Sequence, residues 1–580
     1  MTLHHSDAAV TANPEVKGNI DGSEKSSITI GEGSTATLFR NEGDAHVGDI
    51  NILASSTLAL RDGSNWIADK DIRNDGVVSL LPSARTARME GNFNNAGALV
   101  LSDCNDCGTH VLTLTGDYTG KDADLILSTT LGDDNSPTDL LQITGHASGK
   151  TNVTVNNNQG TGAKTLEGIK IIETGSSTED AFIQKGRIVA GAYEYHLQNG
   201  DASGKNTNNW YLTSLLGTPS HPNPETGPTE PTKPTEPTKP TEPVKPTEPG
   251  TKTLRPEPGS YTANLAAANT MFITRLHDRL GEPQYIDALS GEQKVTSMWM
   301  RQVGGHNSWH DSSSQLKTTG NRYVVQLGGD IARWGDDGLD RWHLGVMTGY
   351  GHNSSNTDSS VSGYRSKGSV KGYNAGLYAT WYQNDETHQG TYLDSWVQYN
   401  WFRNTVKGDG IQSESYNSKG ITASLETGYT SKLNEYTGSK GTTVEWFIQP
   451  QPQAIWMGVK ANDHQEANGT RVTGKGNDNV QTRLGVRTFL KSHDATDNGK
   501  GRTFQPFVEV NWIHNTRDFA TQVDGMTIRQ AGAKNTGELK TGVEGMINPQ
   551  LNVWGNVGTQ LGNHGYNDSA AMIGIKYNFK

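Results

Sequence analysis

The chain has 580 residues, a formal net charge of −12, 68 glycines, two cysteines and only 32% hydrophobic residues. That length suffices for about two or three domains. The acidic balance argues against nucleic-acid binding. No run of eighteen apolar residues occurs, which argues against a transmembrane helix but not against a membrane barrel, whose strands hide apolar residues by alternation. Scarce cysteine suits a polypeptide that crosses an oxidising compartment unfolded. Met1 to Ser26 shows no basic stretch followed by an apolar one, so an export signal is expected upstream of this start, or the sequence is a fragment.

Residues 1–124 read as strand and turn. Short β-runs (Ala36–Phe39, Leu58–Leu60, Val78–Leu80, Leu99–Leu101) recur at about twenty-residue spacing. Turn signals lie between them: Asp62-Gly63, Asn74-Asp75-Gly76 and Asn94-Asn95-Ala96-Gly97. One β-run per turn with Asn/Gly corners predicts a right-handed parallel β-helix, each rung burying its apolar face on its neighbours. A β-sandwich is the alternative, but its strands recur every ~8–12 residues. Residues 125–217 read as the cap of that solenoid, with runs at Asp139–Gly145, Gly168–Ile172, Gly191–Leu197 and Asn209–Leu212.

Residues 218–258 form a linker in which proline alternates with Thr, Glu and Lys. Regular proline favours polyproline II, so the segment reads as a semi-rigid spacer reaching on the order of 120 Å. A helix follows over Ala263–Leu280 within a segment 259–284, with Leu265, Asn269, Phe272 and Leu276 on one face and Gly281 and Pro283 as its stop. It would span about 27 Å. Its arginines, His277 and Asp278 suit a water-filled pore rather than lipid.

Residues 285–580 carry a run of long strands, expected at 295–306, 322–334, 340–352, 370–383, 391–404, 420–433, 444–459, 480–491, 504–516, 536–548, 550–562 and 568–579. In the last of them Ala571, Ile573, Ile575, Tyr577 and Phe579 oppose Met572, Gly574, Lys576 and Asn578. Trp342, Leu344, Val346, Thr348 and Tyr350 oppose His343, Gly345, Met347 and Gly349 in the same way. An even number of such strands predicts a 12-stranded transmembrane β-barrel, apolar outside and polar inside. Ser354–Gly368 and Lys460–Asn479 read as long outer loops, Gly335–Leu339 and Asn548–Gln550 as short turns. Lumen-facing charges are expected at Arg301, Arg483, Arg487, Glu509, Lys540 and Glu544, as a hydrogen-bonded lining around the helix. The alternative for Glu509 and Glu544 is a catalytic carboxylate dyad. The fold class is thus all-β: parallel β-helix, Pro-rich linker, pore helix and barrel.

Other constellations have plain readings. Cys104 and Cys107 read as a short-loop disulfide; zinc would need a second pair, and a redox motif a thioredoxin context. Gly145–Thr151 resembles a phosphate loop but is one residue short, and Gly149-Lys150 reads as a rung corner. The quartets Gly305–Ser308 and Gly351–Ser354 read as strand ends with solvated loop histidines. No G-x-S-x-G, G-D-S-G or G-D-S-L motif occurs, and no cofactor or metal site is expected.

The layout resembles a bacterial autotransporter of the pertactin/AIDA type. The resemblance rests on A-N-L-A-A-A-N-T-M-F-I-T-R-L-H-D-R (263–279), W-M-R-Q-V-G-G (299–305), F-I-Q-P-Q-P-Q-A-I-W-M-G (447–458), F-Q-P-F-V-E-V-N-W (504–512), G-E-L-K-T-G-V-E-G (537–545) and Y-N-F (577–579). It implies a barrel in outer-membrane lipid, periplasmic chaperones as partners, and a barrel-assembly machinery that reads the terminal strand at Tyr577 and Phe579. Gly191–Leu197 with Asn209–Leu212 would be an autochaperone cap. The passenger would leave through the barrel and leave the helix behind as plug and tether. Lys580 departs from the family's aromatic terminus, and the paired asparagines of self-cleaving members are missing from the helix, so the passenger is expected to stay attached at the cell surface. Its expected role is adhesion, autoaggregation or biofilm formation through an unknown surface ligand or itself, without enzymatic activity. The alternatives are a remnant of a protein whose enzymatic part lies upstream and a bare porin-like channel.

Overall fold

The computed structural model describes residues 6–12, 15–16, 18–31, 37–41, 43–103, 109–215, 251–280, 293–294, 297–334, 340–384, 389–439, 441–493, 502–548, 550 and beyond to 579. The proline-rich stretch 216–250, both cysteines (Cys104 and Cys107), and the expected helix stop at Gly281 and Pro283 lie outside the described residues. The chain divides into two compact units, 1–255 with 468–470, and the remainder.

The first unit is a parallel β-solenoid of about five turns. Each turn lays down three strands where one was expected. One ladder joins Ser27–Ile30 to Asp49–Ile52 and on to Ile72. A second joins Leu38–Arg40, Thr57–Leu60, Val77–Leu80 and Ala98–Val100. A third joins Ala45–Val47, Trp66–Ala68 and Ala87–Glu90. The sequence showed the second ladder because its apolar runs are densest. The others alternate buried and half-buried residues, and only two apolar side chains per strand (Ile28 and Ile30, Ala45 and Val47) reach the core.

Stacking like on like holds the turns in register. Phe93 stacks on Tyr118 at 6.1 Å, Tyr118 on Phe182 at 6.0 Å, and Phe182 meets Trp210 edge-on at 5.5 Å. Beside them Asn74 Nδ2 donates to Asn95 Oδ1 at 2.8 Å and Asn95 Nδ2 to the Tyr118 hydroxyl at 3.1 Å. The Asn-rich turn signals are therefore a buried polar ladder, each amide nitrogen donating to the group on the next turn. At the corners a side-chain oxygen of one turn accepts backbone N–H groups of the next. Asp44 takes Asn65, Asp62 takes Arg85 and Thr86, and Asp117 takes His146. The amides of Thr86 and Arg85 hold the Asp62 carboxyl below its ordinary pKa. Gly149 is one such corner within the long strand Leu140–Asn157: its φ of +79° suits only glycine, and a Cβ would strike the Gly120 carbonyl.

Parallel pairing runs beyond residue 124, through Thr151–Val153 with Phe182–Gln184, well into the expected cap. Only then does the sheet turn antiparallel, Ile169–Glu173 pairing with Asn209–Leu212 and His196–Asn199 with Trp210–Thr213. The expected linker 218–258 also needs correction. Leu215 bridges Lys252, Tyr193 bridges Leu254, and the Arg255 amide donates to the Ala192 carbonyl at 3.0 Å. The two flanks of the proline-rich segment lie side by side on the cap, so its contour length does not space apart the residues before and after it.

The second unit is a closed antiparallel barrel of twelve strands. They are β1 (Ser297–His310), β2 (Leu316–Trp334), β3 (Asp340–Ser359), β4 (Arg365–Asn384), β5 (Gly390–Gly408), β6 (Glu414–Thr437), β7 (Thr443–Pro450 resuming as Gln453–Met457), β8 (Asn479–His493), β9 (Thr503–Asn515), β10 (Asn535–Asn548), β11 (Leu551–Gly562) and β12 (Asn567–Asn578). The β12 strand pairs with β1 from Asn578 opposite Ser297 to Asn567 opposite Ser308, closing the wall. Pro450 and Pro452 split β7, expected whole, because proline brings no N–H to the ladder. Alternation decides the faces: Ile573, Ile575 and Tyr577 are exposed outside, while Met572 and Lys576 are buried inside.

Six strands, β1 to β6, run well past their expected ends. Ser354–Gly368, expected as a loop, is strand except for 360–364. The quartet histidines likewise sit within β1 and β3, His306 against Asn321 at 2.7 Å and His352 against the Tyr323 ring at 6.2 Å. The apolar alternation stops at Tyr350, but the inward positions continue as Ser355, Thr357 and Ser359, buried against a helix rather than a fatty core. Lys460–Asn479 is also partly ordered: Arg471–Lys475 joins Ala520–Val523 and Met526–Arg529 in a small antiparallel sheet.

Candidate functional site: the segment seated in the barrel lumen

Two helices occupy the lumen, α1 (Glu257–Thr270) and α2 (Leu276–Leu280). The helix expected over Ala263–Leu280 thus starts six residues earlier and is interrupted. Its early start follows from Pro256 and Pro258, whose fixed φ and missing N–H suit a first turn, and from Glu257 in that turn. Its body is small residues, and the wall answers with glycine: a Cβ at Gly368 would stand 2.9 Å from Asn264 Oδ1 and 3.1 Å from the Ser260 carbonyl. Ser260 Oγ meets Ser366 Oγ at 2.6 Å, Thr262 Oγ1 meets Thr521 Oγ1 at 2.8 Å, and Tyr261 packs on Tyr416 and His464.

The interruption at 271–275 has a cause in the wall. Helix ends leave carbonyls without intrahelical partners. Here Gln398 and Gln326 donate to the Phe272 carbonyl (2.9 and 3.3 Å), Arg301 to Ile273 (3.0 Å), and Trp396 and Gln453 to Thr274 (3.0 and 3.1 Å). Asn269 adds a two-way clasp, donating to the Val459 carbonyl at 3.1 Å while accepting its N–H at 3.0 Å.

Charge fixes the lower segment. Arg275 reaches Glu509 at 2.8 Å and Glu538 at 2.6 Å; Asp278 lies 3.3 Å from Lys540; Arg279 holds Asp394 at 2.5 Å. His277 meets Gln449 at 2.8 Å, and the Leu276 amide donates to Glu426 at 3.1 Å. Around them Arg487 holds Glu544 and Glu509, and Arg483 faces Glu426. Six cations (Arg275, Arg279, Arg301, Arg483, Arg487, Lys540) thus meet six anions (Asp278, Asp394, Glu426, Glu509, Glu538, Glu544), so the seat is close to neutral. A buried charge is costly unless paired and hydrogen-bonded, and each of these is.

The six wall charges read from the sequence, Arg301, Arg483, Arg487, Glu509, Lys540 and Glu544, all face this segment. Glu509 and Glu544 share Arg487, as a hydrogen-bonded lining around the segment requires. Sequence reasoning missed Asp394, Glu426, Glu538, Gln326, Gln398 and Gln453, although an acid or amide at an inward position of an alternating strand was a usable signal. The four residues placed on one helical face separate. Leu265 and Asn269 lie on α1, Phe272 stacks on Phe402 at 5.7 Å beyond its end, and Leu276 opens α2 against Tyr382 and Tyr392. Tyr577 and Phe579 stand side by side on the outer face, ring centroids 5.5 Å apart. A cavity of about 210 Å³ remains beside α1, lined by groups such as Thr270, Arg275, Glu538 and Gln560, with room for several waters.

Known proteins are similar to this chain in sequence and fold. The autotransporter beta-domain family matches residues 298–558, and the family called autochaperone domain type 1 matches residues 90–197. The uncharacterized protein YuaQ of Escherichia coli K12 is 50% identical over 551 residues, 92% of this chain and 39% of that protein. The autotransporter adhesin AIDA-I of Escherichia coli is 39% identical over 469 residues, 80% of this chain and 34% of that protein. The chain therefore spans little more than a third of either relative's length. The crystal structure of the AIDA-I transport unit from Escherichia coli superposes with a TM-score of 0.51 at 40% identity, covering 56% of this chain and 99% of that one. A closed barrel with a seated helix, preceded by a solenoid and its cap, makes this chain a member of the autotransporter family, whose barrels lie in the bacterial outer membrane.

Proposed function

We propose that the barrel displays the solenoid at the cell surface as a contact module for adhesion, autoaggregation or biofilm formation, with no catalytic role. The observation that carries this reading is the solenoid itself: stacked turns whose interior is spent on register and whose outward strand residues, polar and apolar side by side (Thr57 beside Val77, Ser79 beside Val100), line up from turn to turn as one extended surface. The similarity to an adhesin supports it. The seated segment acts as the tether, its network of luminal ion pairs resisting withdrawal. The passenger is exported through the lumen, and the antiparallel cap folds outside, where stacking turns discourage return without ATP. Periplasmic chaperones deliver the chain, and the barrel-assembly machinery reads Tyr577 and Phe579, two exposed rings on the terminal strand.

The test is cell sedimentation. The full chain, fused behind an export signal, is compared with the same fusion carrying only residues 256–580, at matched surface levels. Faster settling or firmer attachment of cells bearing the full chain is expected. Equal behaviour of the two would refute the adhesive reading.

A further inference from the structure

The outer wall of the barrel is not uniform. On β7 to β12 and β1 the outward positions of the described residues carry no lysine or arginine. On β4, β5 and β6 they carry several, and cross-strand register places them against one another. Lys367 is directly opposite Lys407, and Lys371 opposite Arg403. Lys419 of β6 is opposite Lys460 of the short strand that follows β7. All six are exposed. Like charges directly opposite on one face of a sheet repel and destabilise it. The neighbouring strands show the ordinary solution: Lys317 of β2 is opposite Asp358, which also pairs with Arg365 at 3.0 Å. Among the described residues none of these three pairs has a carboxylate within ion-pair distance, and like charges so placed call for an anion from outside the chain.

Their height says where it comes from. Two residues along from Lys371 and Arg403 lie Tyr373 and Trp401, themselves cross-strand partners, in an outward row of rings with Tyr350 and Tyr399. Such rings mark the membrane–water interface. Further along the outward rows in the opposite direction, Leu377 of β4, Val397 of β5 and Leu425 of β6 are exposed and apolar. Lys371 and Arg403 therefore stand roughly 7 Å along their strands beyond the rings and Lys367 and Lys407 further still, at the depth of lipid headgroups on the side where α1 begins, while Lys419, directly opposite Trp401, stands level with the rings. This is a ladder of acyl-chain surface, aromatic belt and cations, in that order.

We propose that this face of β4–β6 binds the phosphorylated glycolipid of the outer leaflet, lipopolysaccharide, its phosphates bridging the Lys371/Arg403 and Lys367/Lys407 pairs and its acyl chains lying along Leu377, Val397 and Leu425. Lys419 and Lys460 extend the site around the barrel. A bound phosphate turns each repulsive pair into a bidentate anion clamp.

The experiment uses the full chain purified in neutral detergent and a quadruple variant, K367Q/K371Q/R403Q/K407Q, with K164Q of the solenoid as a charge control. Thermal transitions are read with lipopolysaccharide, with its dephosphorylated form, and with inorganic phosphate at equal phosphate concentration. Without lipid the quadruple variant should be at least as heat-resistant as the wild type, because repulsion is relieved, and this also shows that it folds. With lipopolysaccharide the wild type should gain stability and the variant should not, its affinity falling on the order of tenfold per pair removed. The dephosphorylated lipid should bind the two alike. Equal stabilisation of variant and wild type by lipopolysaccharide would overturn the proposal. So would stabilisation of the wild type by inorganic phosphate alone, which would assign the cations to a free anion.

Discussion

Replacing Arg275 with alanine tests whether the luminal segment is held by charge. Arg275 is 14% exposed at its side chain and holds Glu509 and Glu538, which are 2% and 7% exposed. Its loss leaves two buried carboxylates short of a cation. Breaking such a pair costs about 3–5 kcal/mol. The lower end applies, because Glu509 keeps Arg487 at 3.5 Å and Glu538 keeps Asn511 and Gln560 at 2.8 and 2.9 Å. About 3 kcal/mol shifts the ratio of seated to displaced segment by on the order of a hundredfold. Single-channel conductance of the full chain in planar bilayers reads that ratio, since a displaced segment opens the lumen. R275A should open far more often than the wild type, and the triple variant R275A/E509Q/E538Q should close again in part, because no orphaned charge remains. Identical conductance traces for all three would refute the view that ion pairing seats the segment.

In the solenoid, N95A removes bonds to Asn74, Tyr118 and the Gly97 amide; urea unfolding should show a loss of about 2–3 kcal/mol, at unchanged slope. Replacing 216–250 by a short Asn-Gly turn should leave the cap's thermal transition unchanged, because Leu215 and Lys252 already pair; a lower transition would show that the excised segment supports the cap. The Asp62 carboxyl lies below its ordinary pKa when folded, so its stabilisation is present above the unfolded carboxylate value of about 3.9 and fades as pH falls through the folded one. Urea midpoints between pH 7 and 3 should therefore fall less steeply for D62N than for the wild type.

The barrel was legible because its pattern is local. Alternation along a single strand fixes which residues face lipid, and parity alone assigned Arg483 and Arg487 inward beside Leu484 and Val486 outward. What parity cannot say is which inward residue meets which, since Arg275 and Glu538 are brought together only by closure of the wall. The extended ends of β1 to β6 escaped notice for a related reason. Strand residues that face a polar helix on one side and water on the other, such as Ser355 and Thr357, look like loop in composition. In the solenoid, the turn residues were visible but their role was not: Asn74 and Asn95 read as corners, and their amides are core.

The break in the luminal helix shows the same limit most clearly. From Ala263 to Leu280 the sequence favours an unbroken helix, and nothing in Met271-Phe272-Ile273-Thr274 forbids one. The chain unwinds there because Gln326, Gln398, Arg301, Trp396 and Gln453 take the carbonyls that the next turn would have used. Fourteen residues of α1 are too few to be a stable helix alone in water. The conformation of this segment is therefore a property of the closed wall and not of the segment. Its conformation is set where five wall donors and four wall ions, Glu509, Glu538, Lys540 and Asp394, are already in place around it.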